Sequence, residues 1–136
     1  MKESEFWSSL KLGTQRFVES NYKSLHLYWT RIENIGGSGV PDAYGFIGRR
    51  HAWVELKVAH GNKVHFQPSQ IAWLTDHALD NAFILVKKDD TIRVFPGHAV
   101  HFVHSEGWNS PCMVLELRKI GGRYDWQKLM LQLFGI

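Results

Sequence analysis

A single cysteine, Cys112, leaves this 136-residue chain with no internal disulfide. That excludes the small stapled scaffolds of oxidising compartments and fits a reducing, cytoplasmic setting. No apolar run approaches the length of a membrane span, and the polar start Met1-Lys2-Glu3-Ser4-Glu5 has no apolar signal core, so neither a membrane nor an export signal is expected. Repeats and low-complexity tracts are absent. No phosphate-cradling or dinucleotide fingerprint occurs either: the loop Gly36-Gly37-Ser38-Gly39 has no Lys-Ser/Thr behind it, so no nucleotide cofactor is expected. Charge of one sign is scarce, with a formal net of +3, which permits a nucleic-acid partner without demanding one. What is present is a chain 44% hydrophobic and 21% charged, composed for one globular unit with a substantial core. Six Trp and eight Phe supply either that core or a partner surface.

The most informative segment is His51-Ala52-Trp53-Val54-Glu55-Leu56-Lys57-Val58, which reads as a strand. Side chains alternate on a strand, so Ala52, Val54, Leu56 and Val58 point into a core while Trp53, Glu55 and Lys57 share the other face. Two residues apart, Glu55 and Lys57 are separated by roughly 7 Å. Thirteen residues upstream of Glu55 lies Asp42, after Pro41 and the flexible, Gly-rich stretch from Asn34 to Val40. Tyr44 to Ile47 forms a strand that a turn at Gly48-Arg49-Arg50 returns into 51–58, so the hairpin carries Asp42 and Glu55 on neighbouring strands. Around it, the spacing predicts a helix over 3–20 with a weak point at Gly13, and a strand over 25–32. Pro68 opens a second helix through about Leu79, with Ile71, Leu74 and Ala78 inward. Strands follow at 82–87 and 91–95, ended by Pro96-Gly97. A short helix near 98–104, a strand at 113–117 and a helix at 124–134 complete the order, which is that of an α/β protein with a mixed sheet.

Two carboxylates in this placement suit a hard divalent cation such as Mg²⁺, which takes one or two protein carboxylates together with substrate phosphate. Such an ion lowers the pKa of its bound water and stabilises charge on a phosphodiester under attack. Lys57 can orient or deprotonate that water, or neutralise the developing charge. The glycines before Asp42 let a phosphate backbone come close, since no side chain is in the way.

Gly39-Val40-Pro41-Asp42, Trp53-Val54-Glu55-Leu56-Lys57 and Gln67-Pro68-Ser69-Gln70-Ile71-Ala72-Trp73, in that order, resemble the PD-(D/E)XK nuclease superfamily. Within it the chain is most similar to small phage-type VRR-NUC nucleases, themselves similar to Holliday junction resolvases. The resemblance covers residues 3 to about 95 of a single domain over 1–136; no motif transfers to the extension from about 96 onward. It implies a restriction-endonuclease-like mixed central β-sheet flanked by helices. It implies that Asp42 and Glu55 ligate Mg²⁺, with Mn²⁺ as a substitute, assisted by the Leu56 backbone carbonyl. Lys57 is then catalytic, and Gln70 stands at the edge of the site at the start of the second helix. A further first-helix glutamate near the metal is Glu3, with Glu5 as the alternative. The activity implied is endonucleolytic hydrolysis of DNA, on branched substrates such as four-way junctions, by a homodimer whose two sites make paired cuts. The location is then cytoplasmic, the host cytoplasm for a viral protein. A nicking or restriction-like nuclease on linear or single-stranded DNA, and a DNA-binding module without catalysis, are the alternatives.

Arg31, Ser38, Arg49, Arg50, Lys63 and His65 are candidate DNA contacts, each equally at home as a solvated loop or strand-end charge. His98, His101 and His104 recur every third residue, with Cys112 beyond. Zinc ligation needs a second ligand pair at finger-like spacing, and none follows, so these read as an ordinary surface helix.

Overall fold

The structure, a computed structural model, describes residues 2–32 and 37–136. The first half of the expected glycine-rich loop, 33–36, lies outside the described residues. The chain forms α1 (Glu3–Asn21), β1 (Leu27–Arg31), β2 (Ala43–Ile47), β3 (Arg50–Val58), α2 (Pro68–Asp76), β4 (Ala82–Lys88), β5 (Thr91–Pro96), α3 (Val100–Glu106), β6 (Leu115–Arg118) and α4 (Trp126–Phe134). The six strands make one mixed sheet in sequential order, β1-β2-β3-β4-β5-β6. Only β3 and β4 pair in parallel, with Glu55 opposite Ile84 and Lys57 opposite Val86. A parallel neighbour requires a crossover, and α2 is that crossover. The other strand pairs are antiparallel. The expected α/β architecture with a mixed sheet between helices is therefore what the chain adopts.

Helices cover both faces of the sheet and divide the interior in two. On one face, Phe6, Leu10 and Val18 of α1 and Leu129, Met130, Leu133 and Phe134 of α4 pack on Leu27, Trp29, Ala43, Val54, Leu56 and Leu85. On the other, Leu74 of α2 and Val100 and Val103 of α3 pack with Phe66, Ile84, Val86, Phe95 and Trp108. The second layer lies over β3 to β5, and among the described residues no helix lies over β1 and β2 on that side. Residues from 96 onward thus belong to the architecture: β6 extends the sheet and α4 closes the first core layer.

Three expectations change. The second helix stops at Asp76, its last turn capped at His77, so Ala78 and Leu79 do not join its inner face; Leu79 is 98% exposed. Pro96 ends β5 rather than following it, placed where Gly97 packs its backbone on Ala82. The aromatic surplus divides between the two uses: Trp29 and Trp108 are buried, while Trp7, Trp53, Trp73 and Trp126 are half-buried and keep part of each ring at the surface.

Gly13, a weak point by helix propensity, has a packing reason. A methyl there would collide with the Trp126 indole of α4. Alanine would gain about 1 kcal/mol in helix propensity, but overpacking costs about 1–3 kcal/mol. Gly13→Ala is therefore expected to destabilise the fold, and a urea midpoint above that of the parent would show that the α1–α4 contact yields freely.

Candidate active site

Asp42 stands at the entrance to β2. Its backbone carbonyl accepts from Ile32 N at 2.7 Å, extending the β1–β2 ladder by one step. Its carboxylate Oδ2 accepts from the backbone N–H of Leu56 at 2.8 Å. The β2–β3 pairing has already ended at Ala43–Val54, so the Leu56 amide has no strand partner on that side and the Asp42 side chain substitutes for one. Asp42 is thereby brought against Glu55.

Glu55 follows the expected parity of β3 but not the expected environment. It is 1% exposed, closed in between strands and the second helical layer. Neither of its carboxylate oxygens meets a hydrogen-bond donor. Burial, followed by the adjoining Asp42 carboxyl both as a partner for a shared proton and as a like charge, pushes the Glu55 pKa up to about 10; Lys57 opposes and Glu3 adds to the rise. A buried carboxyl without donors is costly as an anion and is the kind of group a cation would satisfy.

Lys57 extends from the same face and donates from Nζ to Gln70 Oε1 at 3.0 Å. The ammonium also lies 4.8 Å from the centre of the Phe66 ring. Gln70 is the third residue of α2, and its Oε1 accepts from the Gln67 backbone N–H at 2.9 Å as well. One oxygen thus caps the first turn of α2 and holds the Lys57 ammonium. The crossover geometry delivers α2 over β3, and the backbone of Gly39, at φ +79°, comes so close to Ser69 that a Cβ could not be placed there. That approach joins the loop before Asp42 to the helix holding Gln70.

Glu3, at the start of α1, lies within electrostatic reach of Asp42, Glu55 and Lys57. Burial first and then the Asp42 charge raise its pKa, while Lys57, Arg31 and His60 act in the opposite direction. Glu5 projects elsewhere, near enough to Lys87 for its charge to favour the ammonium there. Asp42, Glu55, Lys57, Gln70 and Glu3 therefore form one cluster.

The candidate DNA contacts are dispersed. Arg31 lies 5.4 Å from the Trp7 ring centre, within electrostatic reach of Glu3. Ser38 is exposed in the loop ahead of Asp42. Arg49 is exposed in the β2–β3 turn, at the opposite end of β3 from Glu55, and Arg50, also exposed, donates from Nη1 to the carbonyls of Phe134 and Gly135 at 2.9 and 3.0 Å at the end of α4. Lys63 and His65 line a cavity of about 260 Å³ together with His104 and Glu106. The three histidines of this region, His98 in the turn before α3 and His101 and His104 on it, do not converge. His98, His101 and His104 are all exposed, His101 facing Thr75 and His104 facing His65 and Phe66. Among the described residues no group of three or more His, Cys, Asp or Glu side chains is set to hold a metal ion.

Neither a protein-family model nor a curated protein matches the chain. Among solved structures, a Holliday junction resolvase from Archaeoglobus fulgidus, an archaeal hyperthermophile, is similar with a TM-score of 0.41 at 14% sequence identity, over 82% of this chain and 80% of that one.

Sequence reasoning passed over Phe66, which lies against the Lys57 ammonium, and over the aromatic row running from Trp53. The parity that placed Glu55 and Lys57 together also placed Trp53 with them, and that was the available signal.

A pH dependence follows from Glu55. Its folded pKa lies above the ordinary 4.5, so the folded state favours the neutral acid and its stabilising contribution is lost as pH rises from 4.5 toward about 10. In EDTA, Glu55→Gln is expected to be more stable than the parent at pH 8, by about 1–3 kcal/mol, and nearly equal to it at pH 4.5. Thermal melts at both pH values check this; parallel pH profiles for the two proteins would assign Glu55 an ordinary carboxylate pKa.

Proposed function

We propose that this protein is a metal-dependent endonuclease that hydrolyses DNA phosphodiesters, with branched DNA as its preferred substrate. The observation that carries the reading is the Glu55 carboxyl, buried beside Asp42 with no donor on either oxygen. A structural carboxyl is ordinarily hydrogen-bonded when buried; one left without donors beside a second acid and a lysine is arranged for a cation. The donor set that the resemblance implies, the carboxylates of Asp42, Glu55 and Glu3 with the Leu56 carbonyl, consists of hard oxygens, and such a set suits Mg²⁺ or Mn²⁺. When bound, such an ion supplies charge stabilisation at the scissile phosphate and a more acidic water.

The protein's own groups contribute the remainder. Leu56 N–H fixes the Asp42 carboxylate. Gln70 Oε1 holds the Lys57 ammonium by one of its three protons, leaving the others to face the nucleophile or a phosphate oxygen. In that role Lys57 offsets the charge that builds on the phosphorane-like transition state. The Phe66 ring beside Nζ keeps water from one side of it. Arg31, Ser38, Lys63 and His65 are the proposed phosphate contacts, and in that role their contribution is sequence-independent affinity. The sequence resemblance to PD-(D/E)XK nucleases supports the same assignment of Asp42, Glu55, Lys57 and Gln70.

Cleavage of labelled four-way junction, flap, nicked and linear DNA is expected to need Mg²⁺ or Mn²⁺ and to stop with EDTA. Asp42→Asn and Glu55→Gln should each remove most turnover while sparing the fold and DNA affinity. Lys57→Ala should lower turnover by about 10²-fold or more with little change in binding. Full activity in EDTA would overturn the metal, and a Lys57→Ala effect confined to affinity would make that lysine a phosphate anchor.

Paired incisions across a junction need two sites, and one chain carries one cluster, so we further propose a two-fold homodimer. Light scattering should give twice the 15.7 kDa chain mass at micromolar concentration. A monomer, together with equal competition by linear duplex and junction, would favour instead a nuclease of linear DNA.

A further inference from the structure

The face of the sheet that bears Asp42, Glu55 and Lys57 continues past them onto β1 and β2, where no helix among the described residues covers it. There it presents Tyr28, Thr30, Tyr44, Phe46, His51 and Trp53, all half-buried or exposed. Tyr28 is 61% exposed and Phe46 40%, although they oppose each other in the β1–β2 register. Apolar side chains paired in a sheet are ordinarily covered, and these are not. The rings are also ordered. Tyr44 lies 5.7 Å from His51 and 4.7 Å from Trp53 between ring centres. Trp53 meets Trp73 of α2 at 5.3 Å, and Trp73 stacks on His77 at 3.8 Å and 9°. The row therefore runs across the floor of the sheet and up the side of α2. A depression of about 270 Å³ opens over Thr30, Ile32, Tyr44, His51 and Trp53.

We propose that this aromatic floor is a stacking site for unpaired bases of the DNA strand that the Asp42–Glu55 cluster acts on. The inference rests on the nuclease reading and names a part of its substrate: a single-stranded segment beside the point of cleavage. Two observations select this occupant. The first is continuity. Trp53 is two residues from Glu55 on the same face of one strand, about 7 Å away, so a strand threaded over Trp53 reaches the carboxylates directly. The second is charge. Beyond Asp42 and Glu55, the described residues of this face on β1 to β3 include no carboxylate, and the ones with titratable side chains are Tyr28, Tyr44, His51 and Lys57. A polyanion meets no repulsion there, and aromatic faces accept any base because every base has a π-face. The alternative occupant, a second copy of the chain laid sheet to sheet, would have to clear α2, which stands over β3 and β4 and ends the floor as a wall. A narrow, flexible strand fits along such a step.

The test uses the full chain in EDTA, so that binding is read without cleavage. Fluorescence anisotropy compares a duplex carrying an unpaired thymine tail with the same duplex blunt-ended. The parent should bind the tailed duplex roughly tenfold or more tightly than the blunt one. His51→Ala, at an exposed position, and the double variant with Tyr44→Ala should lose that preference, each ring by roughly tenfold, while blunt-duplex affinity stays level. Tyr44→Phe, which keeps a ring, should retain the preference. The mass by light scattering should be the same for all. Equal affinity of the parent for tailed and blunt DNA would overturn this inference while leaving the nuclease reading intact. A fall in mass for the ring variants with an unchanged tail preference would assign the floor to a second copy. Binding to neither duplex would overturn both readings together.

Discussion

The structure is organised around the burial of one carboxyl. Glu55 occupies a central strand flanked on both sides and covered by α2, where most positions are aliphatic. A carboxylate there is unfavourable unless something of opposite sign or a donor offsets it. The protein offers a second acid, Asp42, and holds the available lysine at a distance by giving it to Gln70. The arrangement lowers stability at neutral and alkaline pH while keeping two carboxyl groups side by side, the kind of strain found at functional sites more often than in cores.

That constraint explains how much was readable from the amino acids. The period-two pattern over 51–58 was legible because its core-facing half, Ala52, Val54 and Leu56, is uninterrupted and small or branched. With that strand placed, Glu55 and Lys57 had to share a face. Asp42 was legible from its order and its loop, but its actual anchor, the Leu56 amide, depends on where the β2 ladder ends, which no local pattern announces. The length of α2 was overestimated because Ala78 and Leu79 continue a helical period beyond the point where the chain must turn into β4. Asn81, at φ 51°, makes that turn, donating from its side chain to His51 and Leu133 carbonyls. Arg50 read as a turn charge because its partners, the carbonyls ending α4, lie more than eighty residues away. The aromatic surplus was legible as a quantity only; whether a Trp faces a helix or solvent is decided by tertiary cover.

The C-terminal third shows the same logic from the other side. Without a motif it carried no functional reading, yet β6 and α4 are integral to the sheet and the first core layer. Trp126 sits against Gly13, and Phe134 packs on Trp29 at 6.0 Å. Asp125 caps α4 by accepting from Lys128 N, and Gly135 ends it in the left-handed region. By holding α1 in place from behind, this segment sets the position of the first turn of α1, and with it Glu3.

The close passage of Gly39 over Ser69 has a mechanical consequence. Two stretches of backbone that meet without side chains between them have no soft layer to absorb displacement. The segment leading to Asp42 and the first turn of α2 therefore behave as a single lever, with Gln70 on one arm and the Asp42 carboxylate on the other. Because Trp73 lies on that same helix, the aromatic wall, Gln70 and the segment leading to Asp42 share one support.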